Sequence, residues 1–167
     1  SGATLGNDVN LRDVEGRSAL LLGKAKDNNG SCAIGPFIRV FDNDFSLQDI
    51  EKAVITMTIS GVDGYSLNTQ NDMLNISRTP AELVKQVINE HHQYPDGFML
   101  FLGTMFAPID DRDTPGQGFT HKTGDVVKIS TPCLGTLINT VGHTNEISAW
   151  NYGVFDLMKN LARRDLL

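Results

Sequence analysis

Several residue types are scarce in this chain of 167 residues. Two cysteines, Cys32 and Cys133, are too few to build a disulfide framework. The 14 Lys and Arg residues are outnumbered by 20 Asp and Glu residues, which gives a net charge of −6. A surface of that sign repels phosphate backbones, so we expect no nucleic-acid partner. No apolar run approaches the roughly 20 residues that span a bilayer, so we expect a soluble cytoplasmic protein with no membrane partner.

Common catalytic and cofactor motifs are absent as well. No Gly-x-Gly-x-x-Gly, P-loop or Gly-x-Ser-x-Gly sequence occurs. The four histidines lack the His-x-x-x-His and His-Glu-x-x-His spacings of zinc sites, and there is no Cys-x-x-Cys pair. These absences argue against nucleotide-binding, serine-hydrolase and zinc-dependent functions.

The length and the 40% hydrophobic fraction suit one globular domain over residues 1–167. The sequence already has a motif-like character by Leu5. A complete protein usually has an approach to its first functional segment, so we expect this chain to be truncated at its N-terminus.

Strand patterns outnumber helix patterns. Alternation over residues 54–60, followed by Asp63-Gly64, predicts a strand and a hairpin turn. Residues 126–129 and 134–139 predict a strand pair, and the apolar run 98–102 predicts a strand buried on both faces.

Two helices and one long loop complete the predicted elements. Thr79, Pro80 and Glu82 form a helix start with a capping box, and an apolar stripe over residues 154–161 predicts a second helix. Residues 107–124 are rich in Asp, Gly and Pro, which predicts a functional loop. The predicted fold class is therefore α+β, predominantly β, with a few short helices.

The first candidate site is the polar stretch that begins at Asn7. In an extended chain, Asp8, Asn10 and Arg12 share one face. The carboxylate could bind Mg²⁺, Mn²⁺ or Ca²⁺, and Arg12 could bind a substrate carboxylate. The alternative is an Asx-turn with surface ion pairs.

The second candidate site is the glycine-rich stretch 23–37. A lysine held there between apolar strands, such as Lys26, can polarise an oxygen or move a proton. The alternative is a solvated loop lysine. Cys32 is expected to be a small core residue rather than a nucleophile, because no histidine is near it in the sequence.

The order of the motifs is more specific than any one of them. The motifs are residues 7–13, 25–26 with 31–36, 71–73, 103–104, 124–127 with 134–139, and the tail 150–164. In this order they make the sequence resemble the fumarylacetoacetate hydrolase family over about residues 5–141. The tail resembles a branch of that family that includes dehydratases of 2-keto-3-deoxy-pentonates.

The resemblance implies a mixed β-sandwich roll that holds one divalent cation, usually in a homodimer. It makes Asp8 the third carboxylate ligand of the metal and Lys26 the lysine that faces the metal. It places Arg12 and Glu15 in the substrate cavity and Thr104 near the carboxylate of a small 2-oxo acid substrate.

The sequence departs from the family pattern in two places. The other two metal ligands of the family come from a Glu-x-Glu strand, and no Glu-x-Glu occurs in these 167 residues. We therefore expect this chain alone to bind the cation weakly, or not at all, and to have little activity. The acidic insert over residues 105–122 favours the dehydratase branch.

For the intact protein, the resemblance implies dehydration of a 2-keto-3-deoxy-pentonate through an enolate that the metal stabilises. Glu15 or Lys26 is the candidate base. For Glu15 the alternative is an ion pair with Arg12 or Arg17. The second functional hypothesis is a C–C hydrolase of acylpyruvate type, and the third is a non-catalytic binding module.

Overall fold

A computed structural model gives the structure of the chain and describes residues 1–15, 18–106 and 108–167. In these residues, strands form two antiparallel sheets, one with two strands and one with four in the order β4-β3-β5-β6. The strands are β1 (Gly2–Asp8), β2 (Cys32–Val40), β3 (Val54–Ser60), β4 (Ser66–Asp72), β5 (Val126–Thr131) and β6 (Gly135–Thr140).

Short helices lie in the connections between the strands and, in the case of α4, after the last strand. They are α1 (Arg12–Glu15), α2 (Leu47–Glu51), α3 (Pro80–Val87) and α4 (Val154–Arg163). Sheet predominates over helix, which confirms the α+β class predicted from the sequence. No described helix has the length and apolar character needed to cross a bilayer.

The predicted strands of the larger sheet are confirmed. In β3, Met57 and Ile59 are buried, and Thr58 between them points its polar side chain to the opposite face. Gly64 has a φ of +83°, which the turn between β3 and β4 requires and glycine adopts without strain. The strand pair predicted from residues 126–129 and 134–139 is the antiparallel pair β5–β6.

Both predicted helices are present. The Thr79 hydroxyl accepts a hydrogen bond from Glu82 N, and the Glu82 carboxylate accepts one from Thr79 N, so the capping box at the start of α3 is complete. The apolar stripe of α4 is mostly exposed to solvent, with Val154 65% and Met158 50% exposed.

The prediction of a buried strand over residues 98–102 is wrong. The segment is not a strand, and Phe98, Met99 and Phe101 are exposed. A short apolar run also suits a segment that packs through only some of its residues. Here Phe101 contacts Gly6 of β1, and Leu102 packs against the core. Residues 108–124 form the predicted loop, and Ala107 lies outside the described residues.

The hydrophobic core lies where the two sheets pack together. Strand β1 contributes Leu5 to this core. Phe45, which follows β2 in the chain, is also part of it and is 1% exposed. The larger sheet contributes its inner face, namely Met57, Ile59, Val127, Ile129 and Leu137. Successive residues of a strand point to opposite faces. Because Leu5 points inward, Gly6 and Asp8 lie on the outer face of β1.

Candidate active site

Asp8 is the last residue of β1, and its side chain forms an ion pair with Lys26. Lys26 Nζ lies 2.9 Å from Asp8 Oδ2 and 3.4 Å from the Asp8 carbonyl oxygen. The side chains of Asp8 and Lys26 are 42% and 31% exposed, respectively. The structure thus brings together the predicted metal ligand and the predicted lysine, and it leaves part of the carboxylate open to solvent.

Backbone hydrogen bonds hold the Lys26 loop against the residues that follow β1. Val9 N donates to Ser31 O at 2.8 Å, and Leu11 N donates to Ala25 O at 2.9 Å. The Ser31 hydroxyl donates to the Lys26 carbonyl at 2.8 Å. The loop is therefore anchored on both sides of Lys26, which is half-buried and paired rather than freely solvated.

Cys32 is the cross-strand neighbour of Asp8. The expectation that it is a core residue is wrong, since Cys32 is exposed. Residues directly opposite each other in a strand pair share a face, so Cys32 lies on the outer face with Asp8. Partial desolvation, and then the charge of Asp8, raise the pKa of the Cys32 thiol, so the thiol stays protonated at neutral pH.

Arg12 and Glu15 lie in the single turn of α1. The predicted extended face shared by Asp8, Asn10 and Arg12 is wrong, because β1 ends at Asp8 and the chain becomes helical at Arg12. Glu15 accepts a hydrogen bond from Asn10 Nδ2, and its Oε2 lies 3.9 Å from Arg12 Nη1. The ion pair between Glu15 and Arg12 that the alternative named is therefore present. Arg17 lies outside the described residues.

Thr104 lies in the segment that covers the outer face of β1. Three residues earlier, the Phe101 ring packs so closely on Gly6 that a Cβ added to Gly6 would lie 2.5 Å from a ring carbon. Gly6 is two residues from Asp8 on the same face of β1. Thr104 itself is exposed, and among the described residues its hydroxyl forms no hydrogen bond, neither with Asp8 nor with another side chain.

Two asparagines that the sequence reasoning did not single out as site residues tie these segments to the larger sheet. Asn139 on β6 accepts a hydrogen bond from Asn7 Nδ2 at 3.0 Å. Asn71 on β4 donates to the carbonyl of Met105 at 2.6 Å. Both occupy inward-facing strand positions, where a polar residue is unexpected; Asn139, for example, follows the buried Leu137 by two residues. A polar residue at an inward-facing position of a strand is the sequence feature that could have identified both asparagines.

A second group of charged residues lies where the loop 108–124 meets the turn between β3 and β4. The Arg112 guanidinium donates to both oxygens of Asp125, at 2.5 and 2.7 Å, and to both oxygens of Asp63, at 3.0 and 3.3 Å. Its remaining N–H donates to the Thr120 carbonyl at 3.2 Å. The side chains of Arg112 and Asp125 are 1% and 0% exposed. Because all five N–H groups of the guanidinium are engaged, Arg112 has no donor left for a ligand.

These contacts shift the ionisation of the cluster. Hydrogen bonds from Arg112, and then from Lys122, hold the pKa of Asp63 well below its usual range. Burial is the largest single influence on Asp125 and acts to raise its pKa. The hydrogen bonds from Arg112 and from Lys122 N, with the charge of Arg112, together outweigh burial, and the pKa is lowered. Burial also lowers the pKa of His121. At neutral pH the two aspartates are therefore charged and His121 is neutral.

A divalent cation needs several oxygen ligands fixed in position, and Asp8 supplies one of them. In the part of the chain that the structure describes, no three His, Cys, Asp or Glu side chains are grouped to hold a metal ion. Asp8 offers one partly open carboxylate, which is the ligand type that Mg²⁺, Mn²⁺ and Ca²⁺ prefer. Asn10 Oδ1 is a buried acceptor without a hydrogen-bond partner among the same residues. Asp8 therefore fits a hard divalent cation by its ligand type, but the described residues do not complete a coordination site around it.

Comparisons with known proteins agree with the family resemblance of the sequence. Residues 1–142 match the family model for the C-terminal region of fumarylacetoacetate (FAA) hydrolase. A probable 2-keto-3-deoxyxylonate dehydratase from Haloferax volcanii is 31% identical over 140 residues, which cover 84% of this chain and 45% of that protein. A 2-dehydro-3-deoxy-D-arabinonate dehydratase from Saccharolobus solfataricus is 32% identical over 150 residues, which cover 88% and 46%. The chain spans about half the length of these relatives.

Solved structures agree with the predicted fold. A hexagonal crystal form of 2-keto-3-deoxyarabinonate dehydratase has a TM-score of 0.68 at 28% identity, over 84% of this chain and 45% of that chain. The 2-keto-3-deoxy-D-arabinonate dehydratase complexed with magnesium and 2,5-dioxopentanoate has a TM-score of 0.66 at 28% identity, over 83% and 46%. With a family model matched over most of its length, the chain belongs to the fumarylacetoacetate hydrolase family.

Proposed function

We propose that the protein, at its full natural length, is a divalent-cation-dependent dehydratase of a 2-keto-3-deoxy-pentonate. The observation that carries the proposal is the partly exposed Asp8–Lys26 ion pair at the end of β1. The names of the relatives support the substrate class, since the two relatives and the two solved structures are described as dehydratases of such sugar acids.

Mg²⁺ is the cation that we propose, with Mn²⁺ or Ca²⁺ as alternatives. When bound, such a cation polarises the 2-oxo group of the substrate and acidifies its C3 protons. Asp8 would be one ligand, and the family resemblance places the others in a Glu-x-Glu segment that this sequence does not contain. We therefore propose that these 167 residues alone bind the cation weakly and have little activity.

The remaining work is proposed for Glu15, Lys26, Arg12 and Thr104. The Glu15 carboxylate is suited to accept the C3 proton, and the Lys26 ammonium is suited to donate a proton to the departing C4 hydroxyl. The C3–H and C4–O bonds break, and one water molecule leaves. Arg12, whose side chain is 46% exposed, and the exposed Thr104 hydroxyl would orient the substrate carboxylate. The homodimer and the cytoplasmic location remain predictions.

The test is incubation of the full-length protein with Mg²⁺ and either a 2-keto-3-deoxy-pentonate or an acylpyruvate, followed by NMR. We expect loss of water from the sugar acid, inhibition by EDTA, and no consumption of the acylpyruvate. Cleavage of the acylpyruvate alone would instead identify a C–C hydrolase. If neither compound reacts in the presence of the cation, the protein is a non-catalytic binding module and the proposal is wrong.

A further inference from the structure

Thr104 is held by contacts on both sides of it in the chain. Before it, the Phe101 ring packs on Gly6 of β1. After it, Met105 packs against the core, and its carbonyl accepts the hydrogen bond from Asn71. One side of Thr104 is therefore tied to the strand that carries Asp8, and the other side is tied to the edge of the larger sheet.

Asn71 is well placed to fix this second side. It lies on the inner face of β4, and its Oδ1 accepts a hydrogen bond from the backbone N–H of Asp72 at 2.8 Å. That bond sets the orientation of the amide, so Nδ2 points at the Met105 carbonyl, 2.6 Å away. Both ends of the amide are engaged, which leaves Asn71 little freedom to rotate.

Packing alone does not set the distance between β4 and the segment that follows Thr104. A cavity of about 280 Å³ lies between them, and its lining includes Thr69 and Gln70 of β4 and Phe106 and Ile109 of the segment. Protein interiors resist displacement because they are closely packed, and open space of this size weakens that resistance on the side that faces β4. Met105 and Phe106 still pack against the core, and the hydrogen bond from Asn71 adds a directional contact one residue away from Thr104.

We propose that Asn71 is a positioning residue that holds the Thr104 hydroxyl where it orients the carboxylate of the substrate. Asn71 acts through the backbone of Met105 and does not touch the substrate itself. The inference rests on the proposed function, because it requires a 2-oxo acid whose carboxylate Thr104 binds.

The experiment is a double-mutant cycle in the full-length protein with Mg²⁺ and a 2-keto-3-deoxy-pentonate. We expect Asn71→Ala to raise KM about tenfold, the typical effect of losing one hydrogen bond to a charged group. We expect kcat to change by less than about twofold, since a carboxylate contact is made equally before and during the reaction. Thr104→Val should raise KM similarly, and the double variant should be no worse than Thr104→Val.

Asn68→Ala is the matched control, because Asn68 lies on the same strand, is exposed, and forms no side-chain hydrogen bond among the described residues. It should leave KM unchanged. Asn71→Ser is a second variant for the case that Asn71→Ala does not fold. Its side chain is too short to reach the Met105 carbonyl, so it should give the same increase in KM.

A purely structural role for Asn71 would give a different result. Loss of folded protein lowers the apparent kcat and the thermal unfolding temperature, and KM stays the same. That result, or multiplicative effects of the Asn71 and Thr104 substitutions, would overturn the inference. If the wild-type protein shows no dehydration at all, the proposed function has failed instead; the two failures are thus separate.

Discussion

Two short ion pairs, Asp8–Lys26 and Asp125–Arg112, lie in opposite environments. Lys26 Nζ lies 2.9 Å from Asp8, and the Arg112 guanidinium lies 2.5 and 2.7 Å from Asp125. The Asp8 and Lys26 side chains are 42% and 31% exposed, whereas those of Asp125 and Arg112 are 0% and 1% exposed.

The difference shows which pair is available for chemistry. Arg112 uses every N–H group on protein acceptors, and Tyr65 covers its guanidinium at 4.7 Å. Within the described part of the chain, Lys26 Nζ contacts only Asp8, so it retains a donor for another partner. A buried and saturated pair stabilises the loop, and a partly open pair can bind a ligand.

The largest expected effect comes from breaking the closed pair. Arg112→Leu leaves the Asp125 carboxylate buried without its partner, which we expect to lower the free energy of unfolding by about 3–5 kcal/mol. Urea unfolding measures this change. The control is Arg163→Leu, because Arg163 is exposed on α4 and forms no ion pair among the described residues. Equal losses for the two variants would contradict the view that the Arg112 cluster stabilises the fold.

A smaller effect, on activity instead of stability, is expected from the open pair. Asp8→Asn should lower turnover about a hundredfold or more, because it removes a charged ligand of the cation. It should change the free energy of unfolding by no more than about 0.5 kcal/mol, as for other exposed positions. Turnover at fixed Mg²⁺, Mg²⁺ affinity by calorimetry and urea unfolding check the two parts.

The matched control for Asp8 is Asp27→Asn. Asp27 lies in the same loop as Lys26 and forms an exposed ion pair with Lys24 at 3.4 Å. This variant should leave both turnover and Mg²⁺ affinity unchanged. Asp8→Asn with normal turnover and affinity would remove Asp8 from the metal site.

The smallest expected effect is on acid stability. Because Arg112 and Lys122 hold the pKa of Asp63 below its usual range, the unfolded state binds more protons than the folded state in acid. The resulting stabilisation is complete above the ordinary aspartate pKa of about 4 and is lost as the pH falls further. Asp63→Asn should therefore make the decrease in stability between pH 5 and pH 2 shallower, as urea unfolding at several pH values will show. An unchanged slope in Asp63→Asn would contradict this assignment.

The sequence predicts the elements whose signals are local. The alternation in β3, the Asp63-Gly64 turn and the capping box at Thr79 each depend on residues close together in the chain, and all are confirmed. The proximity of Asp8 and Lys26 followed from the order of the family motifs, and the structure shows it as a contact.

Features that depend on distant residues could not be predicted in the same way. Arg112 meets Asp63 across 49 residues, and Asn71 meets Met105 across 34. No periodicity links such positions. The error for residues 98–102 has a related cause, because an apolar run reveals the need for burial and does not reveal whether the partner is a neighbouring strand or the face of a sheet.

The hydrogen bond between Asn7 and Asn139 joins residues that are 132 positions apart. Closing so long a loop has an entropic cost, and folding is slow where contacts are distant in sequence. Strand β1 packs on β5 and β6, which come last among the strands in chain order. Because β1 can dock only on a formed β5–β6 pair, we expect a defect in the larger sheet to delay the maturation of the site even when Asp8 and Lys26 are intact.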